Sequence, residues 1–243
     1  PPVSDLEAVS ERVRPSLRDG GRVLVTGATG FVGRWVVGVV LTTAARRRTS
    51  HEIVVVSRDP GNVDGLFGRL PQGVTLTAVH PDEVDQLDPM GITEVAHFSA
   101  YTGTQNRSSS LKTLQADLGV LLSVGRLLER GDTCANLVYA SSGAVYGRGR
   151  TSSVHPTEES TASHDLSGLG NRYDETKRGS ETLVRALSEA GVVQGSIARL
   201  YAFSGPLLPI DQHFAIGNFV RDVLMGRDVE VSGSGRDFRS WMY

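Results

Sequence analysis

The chain has 243 residues, 21% charged and 39% hydrophobic, and its 25 basic and 27 acidic residues leave a net charge of −2. That length suits one large or two small domains with a buried core, and the composition excludes disordered and collagen-like classes. The near-even balance gives no electrostatic footprint for nucleic acid or an anionic membrane, and no apolar run approaches the roughly 20 residues of a spanning helix.

Residues 1–19 are charged and lack the apolar core of a signal peptide. Cys134 stands alone, which excludes an internal disulfide or a thiolate cluster. The expectation is a soluble, cytoplasmic, globular protein.

In chain order, Leu6, Val9, Val13 and Leu17 fall at helical spacing across Asp5–Arg18. They predict a short surface helix interrupted by Pro15. Arg22–Thr26 is a compact apolar run ending in glycines, as a buried parallel strand requires. Phe31–Ala45 follows as a helix closed by Arg46–Arg48, whose charge complements the dipole rather than a polyanion. Ile53–Val56, Val74–Val79 and Val95–Phe98 predict strands, and Leu111–Arg130 predicts a helix with a leucine stripe at 111, 114, 118, 121, 122 and 128. A strand at Asn136–Ala140, a polar loop to about Gly170, a helix at Arg172–Ala190 and a strand at Ser196–Leu200 continue the alternation. This pattern predicts an α/β, Rossmann-like, doubly wound parallel sheet. After Gly205 the pattern changes: two prolines, a helix at Phe214–Met225 and a strand at Val229–Val231. The division expected is a dinucleotide-binding domain over 1–205 and a small substrate-binding region over 206–243.

The first strand runs directly into Thr26-Gly-Ala-Thr-Gly-Phe-Val-Gly33. Gly27 allows the tight turn, Gly30 lets a pyrophosphate approach the backbone, and Gly33 lets helix and strand pack closely. The helix start at Phe31 and Val32 offers unpaired N–H groups to phosphate. Strand–loop–helix context is what this glycine spacing needs to signify dinucleotide binding. At the end of the second strand an acid would hold the adenosine ribose, but Ser57-Arg58-Asp59 stands there. Ser57 takes the acid's usual place, Arg58 suits a 2′-phosphate, and Asp59 reaches the ribose if the register shifts by one or two residues. The cofactor is read as NAD(P), leaning to NADP.

Of the 25 basic residues, 23 are arginine, and the two lysines are Lys112 and Lys177. Tyr173 and Lys177 are four apart on a predicted helix and share one face. An ammonium beside a phenol favours the phenolate, so the tyrosine can take a proton from an alcohol as hydride leaves its carbon. A compact ammonium in a chain that otherwise uses arginine points to that need. Ser142 lies at the carboxyl edge of the predicted sheet, where ligands bind in this architecture. Its hydroxyl suits a substrate oxygen that changes between alcohol and carbonyl.

With Val25–Gly33 (VTGATGFVG), Ser141–Gly147 (SSGAVYG), Tyr173–Lys177 (YDETK), Arg199–Pro206 (RLYAFSGP) and Phe238–Tyr243 (FRSWMY), the chain resembles the extended short-chain dehydrogenases/reductases that modify nucleotide-activated sugars. The resemblance implies Ser142, Tyr173 and Lys177 as catalytic triad, with Lys177 also holding the nicotinamide ribose. It implies Ser99 and Ala100, in a variant of the family's strand-four segment, as cofactor contacts. Arg239 is implied as the partner of the substrate diphosphate, and Asn218 and Phe219 as nucleotide contacts. The substrate implied is a nucleotide-diphosphate sugar, and part of the leucine stripe is implied in a homodimer interface.

Gly143 and Ala144 stand where sugar 4,6-dehydratases carry an Asp-Glu pair. Ala116 and Ala202 replace usual asparagines, and the family continues beyond Tyr243, so the substrate region is expected to be partial. The leading expectation is an epimerase. The alternatives are an NADPH-dependent keto-sugar reductase, a dehydratase with another acid, and a catalytically silent nucleotide sensor. The six histidines show no metal-ligand spacing, and His97 reads as a packed strand-end residue rather than a base. Glu158 and Glu159 read as solvated loop acids.

Overall fold

Apolar runs become strands here because a parallel sheet covered on both faces takes them out of water, most completely at Arg22–Thr26 and His51–Val56. In the computed structural model these are β1 (Arg22–Thr26), β2 (His51–Val56), β3 (Val74–Val79), β4 (Ile92–His97), β5 (Ala135–Ser142) and β6 (Val193–Leu200). The structure describes residues 1–12, 17–63, 65–100, 110–147, 156–160, 172–211, 214–231 and 241–242. All six strands pair in parallel, in the order β3-β2-β1-β4-β5-β6. The direction of winding reverses between β1 and β4. A crevice opens at the carboxyl ends of strands where that happens.

Alternate strand residues feed two cores. Leu24, Val54, Leu137 and Tyr139 face α3 (Ser110–Glu129) and α4 (Arg172–Glu189), which supply Leu121, Val124, Leu127 and Val184. Val23, Val25, Ile53 and Val55 face α2 (Phe31–Arg47), which supplies Val37, Val40 and Leu41. Each fully buried side chain of this size contributes roughly 1.5–3 kcal/mol. An exposed ion pair such as Arg46–Glu11 contributes about 0–1 kcal/mol, so the two cores hold the fold. Val138 projects away from the α3–α4 core and is left 42% exposed, because the α2 core draws its strand residues from β1, β2 and β3 with only Ala96 of β4.

The predicted boundaries of β1 and β3 coincide with those observed, and the other predicted strands of the sheet lie within two or three residues of theirs. Arg46 and Arg47 occupy the last turn of α2, and Arg48 closes it at φ 54°. Of the leucine stripe, Leu121 and Leu128 are core, Leu118 is half-buried and Leu122 is 43% exposed. The side chains of Leu111 and Leu114 lie outside the described residues.

Three expectations need correction. The N-terminal helix α1 spans Val3–Arg12 rather than Asp5–Arg18, and Pro15 lies outside the described residues. Val229–Val231 forms no strand: it is exposed and irregular, since β-branched residues alone do not make a ladder without a partner. A two-stranded parallel pair, β7 (Ala202–Phe203) with β8 (Trp241–Met242), forms where no strand was expected, because two residues carry no readable period. Between them α5 spans Ala215–Leu224, close to the helix predicted. Among the described residues no helix is long and apolar enough to cross a membrane.

At Gly33 helix α2 packs directly onto the turn that leaves β1. A Cβ there would lie 2.1 Å from the Gly27 carbonyl oxygen and 2.7 Å from Ala28 Cα, both backbone atoms that cannot swing aside. Gly33→Ala is therefore expected to cost about 1–3 kcal/mol or more in urea unfolding. Gly61→Ala, where the nearest atom is Asp59 Oδ1 at 3.9 Å, serves as the control and should stay within about 0.5 kcal/mol of the parent.

Candidate active site

The carboxyl ends of β1, β4 and β5 open into a cavity of about 1260 Å³. That exceeds the roughly 300–1,000 Å³ of a typical small-ligand site. One wall is the glycine turn. Gly27 sits at φ 67°, and a Cβ on it would strike the Phe98 carbonyl at 2.7 Å. A Cβ on Gly30 would meet only the Gly27 oxygen, at 3.3 Å, which leaves the cavity side of the turn bare. Gly30 caps α2 without any side-chain bond, so the first-turn N–H groups of Phe31, Val32 and Gly33 have no intrahelical acceptor. All of these residues line the cavity, as do Ser99 and Ala100. A bare glycine turn with an uncapped helix start fits a pyrophosphate.

Towards the end of β2, Ser57 and Arg58 line the cavity. Ser57 is buried, and its hydroxyl bonds both the N–H and the carbonyl of Asp59 at 3.1 Å. Asp59 turns its carboxylate to Asn62 and starts the short turn Pro60–Asn62; it is not among the lining residues. Arg58 is exposed at the rim. Arg34, one residue past the glycine triplet, lines the cavity too, and its Nε is buried with no hydrogen-bond partner among the described residues. Sequence reasoning passed over Arg34, although its adjacency to Gly33 was the available signal.

The opposite wall carries Ser142, Tyr173 and Lys177, which the structure brings to the same cavity. Lys177 is 3% exposed. Its Nζ donates to the Ala140 carbonyl at 2.7 Å and stands 4.9 Å from the Tyr139 ring centre and 5.8 Å from that of Tyr173. Ser142 caps the turn Gly143–Tyr146 by accepting the Ala144 N–H at 3.2 Å. That bond uses an oxygen lone pair and leaves the hydroxyl proton for another acceptor.

Glu181, one turn beyond Lys177, is 2% exposed and accepts from Ser141 at 2.6 Å and from Arg199 at 2.9 and 2.8 Å. Burial pushes its pKa up, but the bonds from Arg199 and Ser141, with the charges of Arg199 and Arg185, outweigh it and hold the carboxyl below its ordinary range. The sequence reading missed Glu181, though the i, i+4, i+8 series from Tyr173 through Lys177 was visible.

Leu207, Leu208, Pro209, Phe214 and Ala215 close the C-terminal side of the cavity. Trp35 of α2 donates from Nε1 to the Pro206 carbonyl at 3.0 Å, which ties this segment to the glycine turn. Asn218 and Phe219 follow one turn later in α5, half-buried and not among the lining residues; Asn218 Oδ1 is buried without a partner among the described residues. Arg239 lies outside the described residues.

Residues 23–243 match the NAD dependent epimerase/dehydratase family. The chain is 28% identical over 236 residues to UDP-glucuronic acid decarboxylase 1 of Xenopus tropicalis, covering 94% of this chain and 52% of that protein. It thus spans about half the length of that relative. A UDP-N-acetylglucosamine 4-epimerase from Methanobrevibacter ruminantium M1, in complex with UDP-N-acetylmuramic acid, shares the fold at TM-score 0.74 and 17% identity, over 93% of this chain and 70% of that one. UDP-glucuronic acid 4-epimerase from Bacillus cereus, in complex with UDP-glucuronic acid and NAD, shares it at TM-score 0.69 and 19% identity, over 91% and 69%.

Beneath the cavity, His97 is fully buried at the end of β4, as expected of a packed residue. Thr26 Oγ1 accepts the Ser99 N–H at 3.1 Å and shares a hydrogen bond with His97 Nδ1 at 3.0 Å. Burial, with the nearby Lys177 charge, pushes the imidazole pKa down to about 3. The unfolded chain takes up a proton near the ordinary value of about 6.5 that the native state refuses. Stability is thus highest above that value and falls with pH by up to about 1.4 kcal/mol per unit between there and about 3. Urea unfolding at pH 7.5 and 5.5 should show this loss in the parent and a smaller one in His97→Gln.

Proposed function

Because the chain belongs to the NAD dependent epimerase/dehydratase family, we propose that it is a nucleotide-sugar epimerase working with a bound nicotinamide dinucleotide. The observation that carries the reading is one cavity lined on one wall by the bare glycine turn and on the other by Ser142, Tyr173 and Lys177. Gly27, Gly30 and Gly33 with the N–H groups of Phe31 and Val32 would hold the pyrophosphate, and Ser99 and Ala100 would flank the dinucleotide. When bound, the nicotinamide accepts hydride from a sugar carbon and returns it. Tyr173 takes the hydroxyl proton, favoured as phenolate by the Lys177 ammonium. Ser142 donates to the substrate oxygen as it becomes a carbonyl, and Lys177 steadies the ribose. Tyr173 would return the proton to the sugar oxygen once the keto-sugar has turned over in the cavity. Gly143 and Ala144 supply no acid for water elimination.

Arg58 and Arg34 support NADP over NAD. Ser57 offers no carboxylate to a ribose diol, Asp59 is engaged by Asn62, and two guanidinium groups line the cavity near that edge. An arginine fork suits a 2′-phosphate. The segment from Gly205 onward, with Asn218, Phe219 and Arg239, would take the nucleotide-diphosphate sugar. A helix-paired homodimer through α3 and a cytoplasmic location belong to the same reading; the exposed Leu122 of α3 lines the cavity.

A second reading comes from the decarboxylase relatives. Oxidation at C4 of a uronic acid creates a β-keto acid that can lose carbon dioxide, and the same Tyr173 step would start both reactions.

Mass spectrometry of nucleotide released on denaturation, and of the products from UDP-glucuronic acid, tests the reading. A product of unchanged mass that separates from the substrate by chromatography supports epimerisation, and loss of carbon dioxide moves the assignment to decarboxylation. Tyr173→Phe should lower turnover by about 10²–10⁴-fold without matching loss of dinucleotide binding. Arg58→Ala should weaken NADP⁺ binding about 10-fold or more and leave NAD⁺ binding nearly unchanged, by isothermal titration, since a charged hydrogen bond contributes about 1.5–3 kcal/mol.

A further inference from the structure

We propose that Glu181 is a positioning residue that fixes the register between α4 and the ends of β5 and β6, and so places Lys177 beside Tyr173 and Ser142. The inference rests on the acid–base roles given above to Tyr173 and Lys177.

Three consecutive residues at the end of β5 divide the work. Ala140 receives the Lys177 ammonium at 2.7 Å, Ser141 donates to Glu181 at 2.6 Å, and Ser142 faces the cavity. Two clasps from adjacent strand residues thus grip α4 one helical turn apart. Either clasp alone leaves the helix free to slide or roll about it; together they fix both.

The second clasp is anchored from the next strand. Arg199 of β6 is the direct register partner of Ser141. It meets both oxygens of Glu181 through Nε and Nη2, the fork geometry that holds a carboxylate in plane. Its remaining nitrogen donates to Tyr146 Oη at 2.9 Å and to the Glu158 carbonyl at 2.8 Å, so the turn after Ser142 is tied to the same point. Arg185 adds a bond at 3.0 Å from α4 itself. Glu181 accepts four bonds, about the full capacity of a carboxylate.

A surface carboxylate has no need of such wiring, and Glu181 does not line the cavity. Its influence on the reaction runs through the helix. That makes a sign test possible. Removing a negative charge near Tyr173 would by itself make the phenol easier to ionise. Loosening Lys177 from its side makes the phenol harder to ionise. The two routes predict opposite shifts.

The experiment uses full-length protein labelled with ¹³Cζ-tyrosine, with the Tyr173 resonance assigned from Tyr173→Phe and titrated by NMR. Glu181→Gln and Ser141→Ala are each expected to raise the Tyr173 midpoint by about half a pH unit or more, and Ser141→Thr, which keeps the hydroxyl, to restore it. An unchanged or lowered midpoint in a folded Glu181→Gln or Ser141→Ala protein overturns the proposal. Should Glu181→Gln fail to fold, Ser141→Ala decides alone, since it leaves the ion pair intact. Lys177→Met should raise the midpoint at least as far. If it does not, the acid–base reading of the pair falls and the positioning role falls with it, whereas a normal Lys177→Met response with silent Glu181 and Ser141 variants removes only the positioning role.

Discussion

The pairing of β1 with β4 is the constraint on which the site depends. Every other strand could be lengthened or shifted at its far end, but this pair sets where the winding reverses and where the sheet opens. The pairing sets Thr26 opposite His97, and the strand ends are locked by polar atoms rather than by packing. Thr26 accepts from Ser99 and is hydrogen-bonded to His97, so the glycine turn leaving β1 and the segment leaving β4 are tied together. Gly27 then passes so close to Phe98 and Ser99 that no side chain fits between them. Any residue with a Cβ at 27 would part the two strand ends and flatten the crevice.

Burying charge beside that crevice is expensive, and the protein meets the cost in two geometries. Lys177 is compact and flanked by the Tyr139 and Tyr173 rings, and it reaches the Ala140 carbonyl. A planar guanidinium with five donors would need more acceptors than a site 3% exposed presents. Where the partner is a carboxylate, the chain uses arginine: Arg199 covers both oxygens of Glu181 at once. The strong bias to arginine in the composition is therefore informative at its exception. The lysine sits where a point charge fits and a fork does not.

The fold was legible because its strands carry short apolar runs that alternate with helical patterns, a signal that survives without knowledge of tertiary contacts. The glycine turn and the Tyr173–Lys177 pair were legible for a related reason, since their spacing is local. What was hidden depends on distant chain. Val229–Val231 looks like a strand and lacks a partner; Ala202–Phe203 does not look like one and has Trp241–Met242. Asp59 and Arg58 are neighbours with equal claim on a ribose or phosphate in sequence, and only the turn at Asn62 turns one of them away. Glu181 was the largest omission. An acid on the fourth residue after a lysine reads as an ordinary surface pair, and nothing local announces that Ser141 and Arg199, from two other strands, will bury it.

The burial of Glu181 bears on how the site tolerates change. The polar network beneath the cavity contains two buried ions, Lys177 and Glu181, on one face of one helix, answered by adjacent residues at the end of β5, with Arg199 of β6 completing the second. In such a network the energetic effect of removing one member is dominated by what it leaves unpaired rather than by the bond it breaks. Deleting Ser141's hydroxyl leaves Glu181 still matched by Arg199; deleting Glu181 strands Arg199 among Tyr146 and a carbonyl. The two substitutions therefore separate geometry from charge. Only the helix–sheet register is disturbed by both.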